Sequence, residues 1–547
     1  MPVSEEVVFH NGTVFDGRTF LPAGTCVWAA GGRVTGVGPG PAGRLGKTEP
    51  IDLAGGTLVP GFVDAHAHPV FAGDQMRRCD LRAGSTAADY VELVAAYATK
   101  HPDEEWISGG GWSMDAFPGG IPTRQALDAV VPDRPVFLPN RDGHGAWVNS
   151  RALALAGIDK STPDPADGRI ERDAAGEPVG MLQEGAAILV SRLLPEITED
   201  DWYNALLTAQ DYLLSLGITG WQDAIVGRYE GEADPLTAYL RAVKAGTLLA
   251  SVTGALWWDR HRGLEQLGEL LDQRTTGQAG TFRATSVKMM LDGVAENHTA
   301  AMLEPYLDGD GCSTGQAGLD FIDPRELSTF VAALDREGFQ VHFHALGDRA
   351  VRHALDAVEE ARRVNGLGGP RHHLAHLQVI HPDDVPRFAQ LSATANIQAL
   401  WATHEPQMDD LTIPFLGERR SGWQYPFGSL VAAGAPLCAG SDWPVSSPNP
   451  LWGMHVAVNR SLPASAGGTG ADPFLPGQAI SLPVALAAYT SGSARVNGRD
   501  DEAGAIRAGL NADFAVVDAD LAHLPAAEIC RASVRQTWVR GDLAYQQ

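Results

Sequence analysis

Eight short apolar segments, most of them separated by helical stretches, constrain the fold of this chain more than any other feature. We interpret these segments as strands, and in chain order they are GTLVPGFVDAHAH, SLGITGWQDA, LLASVTGALWW, RATSVKMMLDG, GFQVHFHALGD, HHLAHLQVI, LSATANIQ and APLCAGSDWP. From the second onward they are joined by helical patterns such as DPLTAYLRAVKAG and PRELSTFVAALDREG. Eight β/α units are what a (β/α)8 TIM-type barrel requires, and its active site lies at the carboxyl ends of the strands. The sequence therefore predicts an α/β protein built on such a barrel.

The two ends of the chain differ from the middle in pattern. Residues 1–60 consist of short apolar runs broken by NG, DG and GG, which are hairpin signals, and residues 483–547 show the same pattern. We predict that both termini together form one small β-sandwich domain and that residues 61–482 form the barrel. The gap between the first and second barrel strands is too long for one helix. Residues 76–210 are therefore predicted to be an insertion that roofs the active site.

Net charge, apolar content and cysteine content indicate where the protein resides and which partners are not expected. The net charge is -26, from 41 basic and 67 acidic residues, which argues against nucleic acid because phosphates require basic patches. No apolar run suggests a membrane span, and the start of the sequence lacks the regions of a signal peptide. Five scattered cysteines without a CxxC pair argue against a disulfide framework. We expect a cytoplasmic protein without a membrane or nucleic-acid partner; a homodimer is expected only from the frequency of dimers.

Polar residues follow or end several of the predicted strands. They are His66, His68, Lys288, His342, His344, His372, His373, His376 and Asp442. His66 and His68 face the same side of their strand, because side chains on a strand repeat every two residues. Taken singly, each motif has an ordinary structural explanation, such as a turn or helix cap for GSD. Their common position at strand ends indicates a metal site, since imidazole nitrogens and carboxylate oxygens suit zinc and similar ions.

The motif set PGFVDAHAH, VKMMLDG, HFHALGD, HLAHLQ and GSDWPV resembles that of the amidohydrolase superfamily. More narrowly, the chain resembles the YtcJ-like branch that includes N-substituted formamide deformylase. NGTVFDG and GLNADFAVVD are similar to pieces of the flanking β-sandwich of that family, and DGHGAWVNSRAL is typical of the branch. The resemblance covers essentially the whole chain.

The resemblance implies two divalent metal ions and a set of ligands. The implied ligands are His66, His68, Lys288, His344, His376 and Asp442. Lys288 would be carboxylated by CO2 and would bridge the two ions, because a carbamate supplies two anionic oxygens where a free ammonium is a poor ligand. The family pattern selects His344 over His342, and His376 over its two neighbouring histidines. Zinc is the expected metal, although the same ligands accept manganese, iron, cobalt or nickel.

Other residues are assigned supporting roles. Asp442 would also transfer the proton, as general base and then general acid. Asp64 and His342 are expected to support the ligand imidazoles from behind. A single ion held by His66, His68 and Asp442, with Lys288 unmodified, remains open.

The resemblance also implies the reaction, which is hydrolysis of a C–N amide bond by a metal-activated hydroxide. The expected substrate is a small N-substituted formamide, which would yield an amine and formate. We expect His144, Trp112 and Trp147 of the insertion to bind it, since aromatic residues suit a hydrophobic substituent. Hydrolysis of another amide, a cyclic amide or a carbamate stays an alternative, as does a non-catalytic metal-binding member of the fold.

Overall fold

The eight predicted segments supply the eight parallel strands of a barrel. The structure is a computed structural model, and it describes residues 6–40, 49–228, 234–464, 467–468, 470 and 472–547. The barrel strands are β1 (Phe62–Ala67), β2 (Ile218–Val226), β3 (Ser251–Trp257), β4 (Phe282–Met290), β5 (Gln340–Ala345), β6 (His373–His376), β7 (Thr394–Ile397) and β8 (Leu437–Ala439). Each strand pairs with the next in chain order. The predicted barrel fold is therefore confirmed.

The barrel closes between its first and last strands, just beyond the end of β8. Ala67 and Trp443 form a parallel bridge. The N–H of His68 donates to the carbonyl of Trp443 at 2.8 Å, and the N–H of Asp442 donates to the carbonyl of His66 at 2.7 Å. The main-chain bonds of closure therefore involve His66, His68 and Asp442, three of the residues that the sequence assigns to the metal.

The first predicted segment is divided at Gly61. Residues Thr57–Pro60 form a strand in a different sheet, and β1 begins at Phe62. A Cβ atom at Gly61 would lie 2.1 Å from Oγ1 of Thr219 in β2, so any other residue there would have to displace the Thr219 side chain. An apolar run that is continuous in the sequence thus passes from one sheet to the next.

Helices pack around the barrel and connect its strands. Those between successive strands from β1 onward, and after β8, are Pro69–Arg77, Glu199–Ser215, Leu236–Ala245, Leu267–Thr276, Pro324–Arg336, Asp348–Asn365, Val385–Leu391, Pro406–Leu411, Ile413–Ser421, Phe427–Ala432, Pro450–Asn459, Leu482–Ala487 and Ser493–Val496. Their starts follow capping rules: Asp323 accepts the N–H of Arg325 at 2.9 Å, with proline in the first turn. All nine residues of β2 are buried, as expected for a parallel strand covered on both faces.

Both termini contribute to two further sheets. One contains, in spatial order, Arg33–Pro39, Thr25–Ala30, Val7–His10 and Glu49–Asp52. The other contains Thr13–Val14, Thr57–Pro60, Phe514–Val517, Val534–Val539 and Asp542–Gln546. The sheets share an apolar core in which the Phe9 ring lies 5.1 Å from Phe514 and 5.3 Å from Trp538. The residue bounds proposed for the domains stay a prediction.

The segment between β1 and β2 has a sheet of its own. Its strands, in spatial order, are Gly168–Arg172, Pro178–Glu184, Gly145–Val148, Val136–Pro139, Ile107–Gly110 and Cys79–Asp80. Its helices are Ala87–Lys100, Arg124–Asp128, Ser150–Ala156 and Ile188–Ser191. This sheet brings the loop at residues 140–145 against the mouth of the barrel.

In the part of the chain that the structure describes, no helix combines the length and the apolar character needed to cross a bilayer. The cytoplasmic location and the homodimer stay predictions.

Candidate metal centre

Six side chains meet at the carboxyl-terminal mouth of the barrel. They are His66 of β1, His68 just after it, Lys288 of β4, His344 of β5, His376 at the end of β6, and Asp442 after β8. All are buried except His68, whose side chain is 14% exposed. Because the ends of parallel barrel strands share one rim, residues far apart in the sequence become neighbours. These are the six residues that the sequence assigned to the metal.

Asp442 lies at the centre of the group. Its Oδ1 is 3.0 Å from Nε2 of His66 and 3.0 Å from Nε2 of His68, and its Oδ2 is 3.8 Å from Nδ1 of His376. His66, His376 and Asp442 offer ligand atoms that all lie within 4.8 Å of one another. The Nζ atom of Lys288 is 3.5 Å from Nε2 of His66. This spacing is compact enough for one ion to contact several of these groups.

His344 stands slightly apart from this cluster. Its ring centroid is 4.4 Å from that of His376, and its Nε2 is 3.5 Å from the carbonyl oxygen of Gly293. His344 and His376 therefore form a second pair of imidazoles next to the Asp442 cluster.

The ionisation of these groups follows from their burial. Burial, helped by Lys288, lowers the pKa of His66 to about 3, and burial holds the pKa values of His344 and His376 well below normal. Burial alone would raise the pKa of Asp442, but His66 and the neighbouring imidazoles hold it well below its usual value. Neutral imidazoles beside a carboxylate are the forms that bind metal ions.

Orphaned ring nitrogens show that this site suits a cation. Among the described residues, neither ring nitrogen of His376 has a hydrogen-bond partner, although the residue is only 1% exposed, and Nδ1 of His68 has none either. Leaving buried polar atoms unpaired is costly, and a divalent ion would satisfy them. The donor set of imidazole nitrogens and a carboxylate fits zinc and related ions.

His342 lies behind the cluster and contacts His66. Its Nε2 is 2.7 Å from Nδ1 of His66, so it orients that ring. His373 packs against His342 at a centroid distance of 4.0 Å, whereas His372 pairs with Asp335 at 2.9 Å, away from the centre. Nδ1 of His376, by contrast, is 3.8 Å from Oδ2 of Asp442, and its role as a ligand stays a prediction.

Asp64 acts on the backbone and not on an imidazole ring. Its Oδ1 accepts the N–H groups of His66 and Ser441, both at 3.0 Å, and its Oδ2 accepts the Ser441 hydroxyl at 2.5 Å. This carboxyl group therefore ties β1 to the turn that bears Asp442. Burial raises its pKa to about 6.

Trp112 and Trp147 are not in the position that the sequence analysis assigned to them. Both are fully buried in the apolar core of the insertion, where each packs against Phe117. The indole N–H groups donate to main-chain carbonyls, of Leu138 at 2.7 Å and of Thr123 at 2.9 Å. Their role is to build the insertion, because aromatic content alone does not distinguish a core residue from one that lines a pocket.

The metal centre opens into a chamber of about 220 Å³. His144, the third residue assigned to the substrate, lines it together with the apolar side chains Phe71, Phe137, Ile188, Ile225 and Met290. A second cavity of about 590 Å³ adjoins it and shares a wall formed by Arg141, Asp142, Pro444 and Val445.

Two residues near the site, Asp292 and Glu184, were not assigned a function in the sequence analysis. Asp292 is fully buried and accepts N–H groups from Ala301, Leu346 and Gly347, so it anchors the loop after β5. Glu184 lies 2.9 Å from His144. Asp292 belongs to the motif VKMMLDG that carries Lys288, whereas no comparable signal marks Glu184 within GMLQEGAA.

A closed parallel barrel with these groups at its mouth defines a metal-dependent enzyme scaffold of the (β/α)8 class. The sequence profile of the amidohydrolase family matches residues 49–545, and the chain belongs to that family. It is 32% identical to protein LONG AFTER FAR-RED 3 of Arabidopsis thaliana, over 99% of this chain and 91% of the relative. It is 29% identical to the N-substituted formamide deformylase of Arthrobacter pascens, over 97% of both chains.

A solved structure agrees with this assignment. The crystal structure of an uncharacterised metal-dependent hydrolase from Pyrococcus furiosus superposes with a TM-score of 0.68 at 27% identity, over 93% of this chain and 97% of that one. The resemblance that the motifs indicated is therefore confirmed, and the chain is a metal-dependent amidohydrolase by family.

Proposed function

We propose that this protein hydrolyses the C–N bond of an N-substituted formamide and releases an amine and formate. The observation that carries the proposal is the buried group of imidazoles, lysine and carboxylate at the barrel mouth, in which several ring nitrogens find no hydrogen-bond partner among the residues that the structure describes. The choice of a formamide is supported by the full-length similarity to the deformylase of Arthrobacter pascens.

Two divalent ions, with zinc as the expected metal, would be held by the six residues. His66, His68 and Asp442 would hold one ion, and His344 and His376 the other, with a carboxylated Lys288 between them. Burial lowers the pKa of Lys288 to about 7, against the effect of Asp442, so much of the amine is neutral near pH 7. A neutral amine is the form that reacts with CO2. When bound, such ions lower the pKa of a water molecule and polarise a carbonyl group.

Asp442 is the group of this chain that can move the proton. Its carboxylate is ionised and lies among the proposed ligands, so it can accept a proton from the attacking water and deliver it to the departing nitrogen. An amine leaves poorly unless it is protonated. Asp442 therefore acts in the step that breaks the C–N bond.

The chamber beside the metal centre offers a binding site for the substrate. Its apolar side chains suit a hydrophobic substituent on nitrogen, since ligand pockets are lined mainly by apolar groups with a few polar ones. The adjoining cavity of about 590 Å³ favours a second candidate, a larger amide or carbamate that extends past Arg141.

The core position of Trp112 leads to a prediction for stability. Trp112→Phe should lower the free energy of unfolding by about 1–3 kcal/mol, because it removes the hydrogen bond to Leu138 and leaves a gap. KM for N-benzylformamide should stay within about twofold of wild type, since the indole does not line the chamber. Urea denaturation and steady-state kinetics measure the two quantities. A large rise in KM at unchanged stability would return Trp112 to the substrate site.

Formate release from N-benzylformamide tests the proposed reaction. The metal-replete protein should produce formate, a chelator should abolish the activity, and added zinc should restore it. His353→Gln is a suitable control, because His353 lies on the outer helix Asp348–Asn365 and pairs with Asp320. If the metal-replete protein releases no formate, the formamide proposal is wrong, and larger amides, cyclic amides and carbamates become the compounds to assay.

A further inference from the structure

The larger of the two cavities beside the metal centre has aromatic walls that begin at the proposed ligands. Trp443 directly follows Asp442, and the ring of Trp401 stacks on that of His376 at a centroid distance of 5.3 Å. Both indoles line the cavity of about 590 Å³, and Tyr212 and Trp452 line it as well. A molecule that reacts at the metal centre can therefore extend along aromatic surface into this cavity.

Glu296 brings a carboxyl group with an unsatisfied oxygen to this cavity. It lies on the loop that follows β4, the strand that bears Lys288. Its Oε1 accepts an amide N–H of Gln407 at 3.0 Å. Its Oε2 is buried and has no hydrogen-bond partner among the residues that the structure describes. Leaving a buried carboxyl oxygen unpaired is costly, so this position suits a ligand that donates hydrogen bonds.

The hydroxyl of Tyr425 is a second polar group that lacks a partner in the cavity. The residue is only 2% exposed and lines the cavity, yet its hydroxyl forms no hydrogen bond within the described part of the chain. Burial raises the pKa of Tyr425 well above its usual value, and Glu296 and Glu405 raise it further, which places both carboxyl groups in its electrostatic surroundings. These oxygen atoms can together accept several hydrogen bonds from one ammonium group, which has three N–H donors.

The charged groups of the cavity favour a cation over an anion. Four carboxyl groups and two guanidinium groups line it, and the carboxyl groups are those of Asp80, Asp142, Glu296 and Glu405. Arg82 donates to both carboxylate oxygens of Asp80 at 2.8 Å. Arg141 donates to Oε1 of Gln407 at 3.3 Å and lies 3.8 Å from Glu405. Each guanidinium group is thus engaged by its neighbours, whereas Glu296 has no basic partner among the described residues.

We infer that this cavity binds the substituent on the amide nitrogen and selects one that ends in an ammonium group, which pairs with Glu296. The inference rests on the proposed function and specifies its substrate class, the mono-formyl derivatives of diamines. The chain of the substituent would follow the aromatic walls, where the ammonium group is also attracted to the ring faces. Burial raises the pKa of Glu296, so a proton and the ammonium group compete for its carboxylate. The pairing is therefore measured at pH 8, where the carboxylate is favoured and an alkylamine, with a pKa of about 10, keeps its proton.

Three formamides of matched length test the inference in the zinc-loaded protein. They are N-(6-aminohexyl)formamide, N-(6-hydroxyhexyl)formamide and N-(5-carboxypentyl)formamide, whose flexible chains can follow the cavity. For the wild type, kcat/KM of the amino compound should exceed that of the hydroxy compound at least about tenfold, and the carboxy compound should be the poorest substrate. Glu296→Gln should lower kcat/KM of the amino compound about 10–100-fold and change that of the hydroxy compound less than about threefold.

Two further variants complete the comparison. Tyr425→Phe removes only the hydroxyl and should lower kcat/KM of the amino compound about 3–10-fold. Glu92→Gln makes the same change as Glu296→Gln at an exposed position of the helix Ala87–Lys100, and it should leave all three values unchanged. Circular dichroism and zinc content verify that each variant is folded and loaded.

The outcomes separate this inference from the proposed function. An amino compound that reacts no faster than the hydroxy compound, or equal losses on both in Glu296→Gln, would overturn recognition of an ammonium group, since a structural role of Glu296 does not distinguish the compounds. If the wild type hydrolyses neither these compounds nor N-benzylformamide, the proposed function fails, and calorimetric titration with the same three compounds then decides the inference. Tighter binding of the amino compound that Glu296→Gln removes would support it, and equal or absent binding would overturn it.

Discussion

Asp442→Asn is expected to lower kcat about 10³-fold while KM changes less than about threefold. Asparagine has nearly the same shape but cannot accept the proton of the attacking water at neutral pH, nor deliver one to the departing amine. Because the proton moves only in the reacting complex, the loss should fall on kcat and not on ground-state binding. Steady-state kinetics with N-benzylformamide, at measured metal content, provides the comparison.

Asp442→Asn could lower kcat by removing the proton carrier or by removing a metal ligand. Metal analysis of the purified variant makes this distinction, since an amide oxygen can still coordinate. Asp320→Asn is a matched control, as Asp320 pairs with Arg349 and His353 at the outside of the barrel. Nearly full kcat at intact metal content would contradict the role of Asp442.

Lys288→Ala should reduce bound metal from two ions per chain to one or fewer and lower kcat/KM by at least about 10²-fold. The carbamate would supply the oxygen atoms shared by the two ions, and alanine supplies none. Elemental analysis and kinetics measure the two effects, and the intact mass of the wild type should exceed the sequence mass by one CO2. Acetate should restore part of the activity to the variant, because a small carboxylate fits the space that the side chain leaves.

Lys244→Ala provides the comparison for this experiment, because Lys244 is exposed on an outer helix. A Lys288→Ala protein that keeps two ions and full rate would exclude a bridging carbamate. One ion with full rate would favour the single-metal alternative, in which His66, His68 and Asp442 suffice.

The barrel could be predicted from the sequence because its strands are buried on both faces. Each of the eight segments is a short apolar run that ends in polar residues, and each became a barrel strand. The change of sheet at Gly61 could not be predicted, because the apolar run is continuous and the close approach of Thr219 to Gly61 depends on the tertiary structure. The insertion sheet was missed as well, because its strands are short and one of its pairings, Gly145–Val148 with Pro178–Glu184, joins strands that are not consecutive in the chain.

The candidate metal centre was predictable for a related reason. Its residues lie at the carboxyl ends of predicted strands. A parallel barrel brings these ends to one rim, so the residues can be expected to lie close together in space. The surroundings of the centre were less predictable. Glu184 lies in a segment without a motif, and its contacts with His144 and Thr299 join residues that are distant in sequence. Trp112 and Trp147 were misplaced because nothing local shows which side of the insertion an indole faces.

Closure of the barrel beside Asp442 has a consequence for the order of events in folding. His68 and Asp442 are 374 positions apart, and the main-chain bonds that join β1 to the turn after β8 are made by the ligands or their neighbours. Contacts of such long sequence separation form slowly, because a long loop must close first. An ion held by both His66 and Asp442, as proposed, could not be captured before residue 442 has been synthesised and has met the first strand. Metal loading is therefore a late step, which begins only after the last strand has docked against the first.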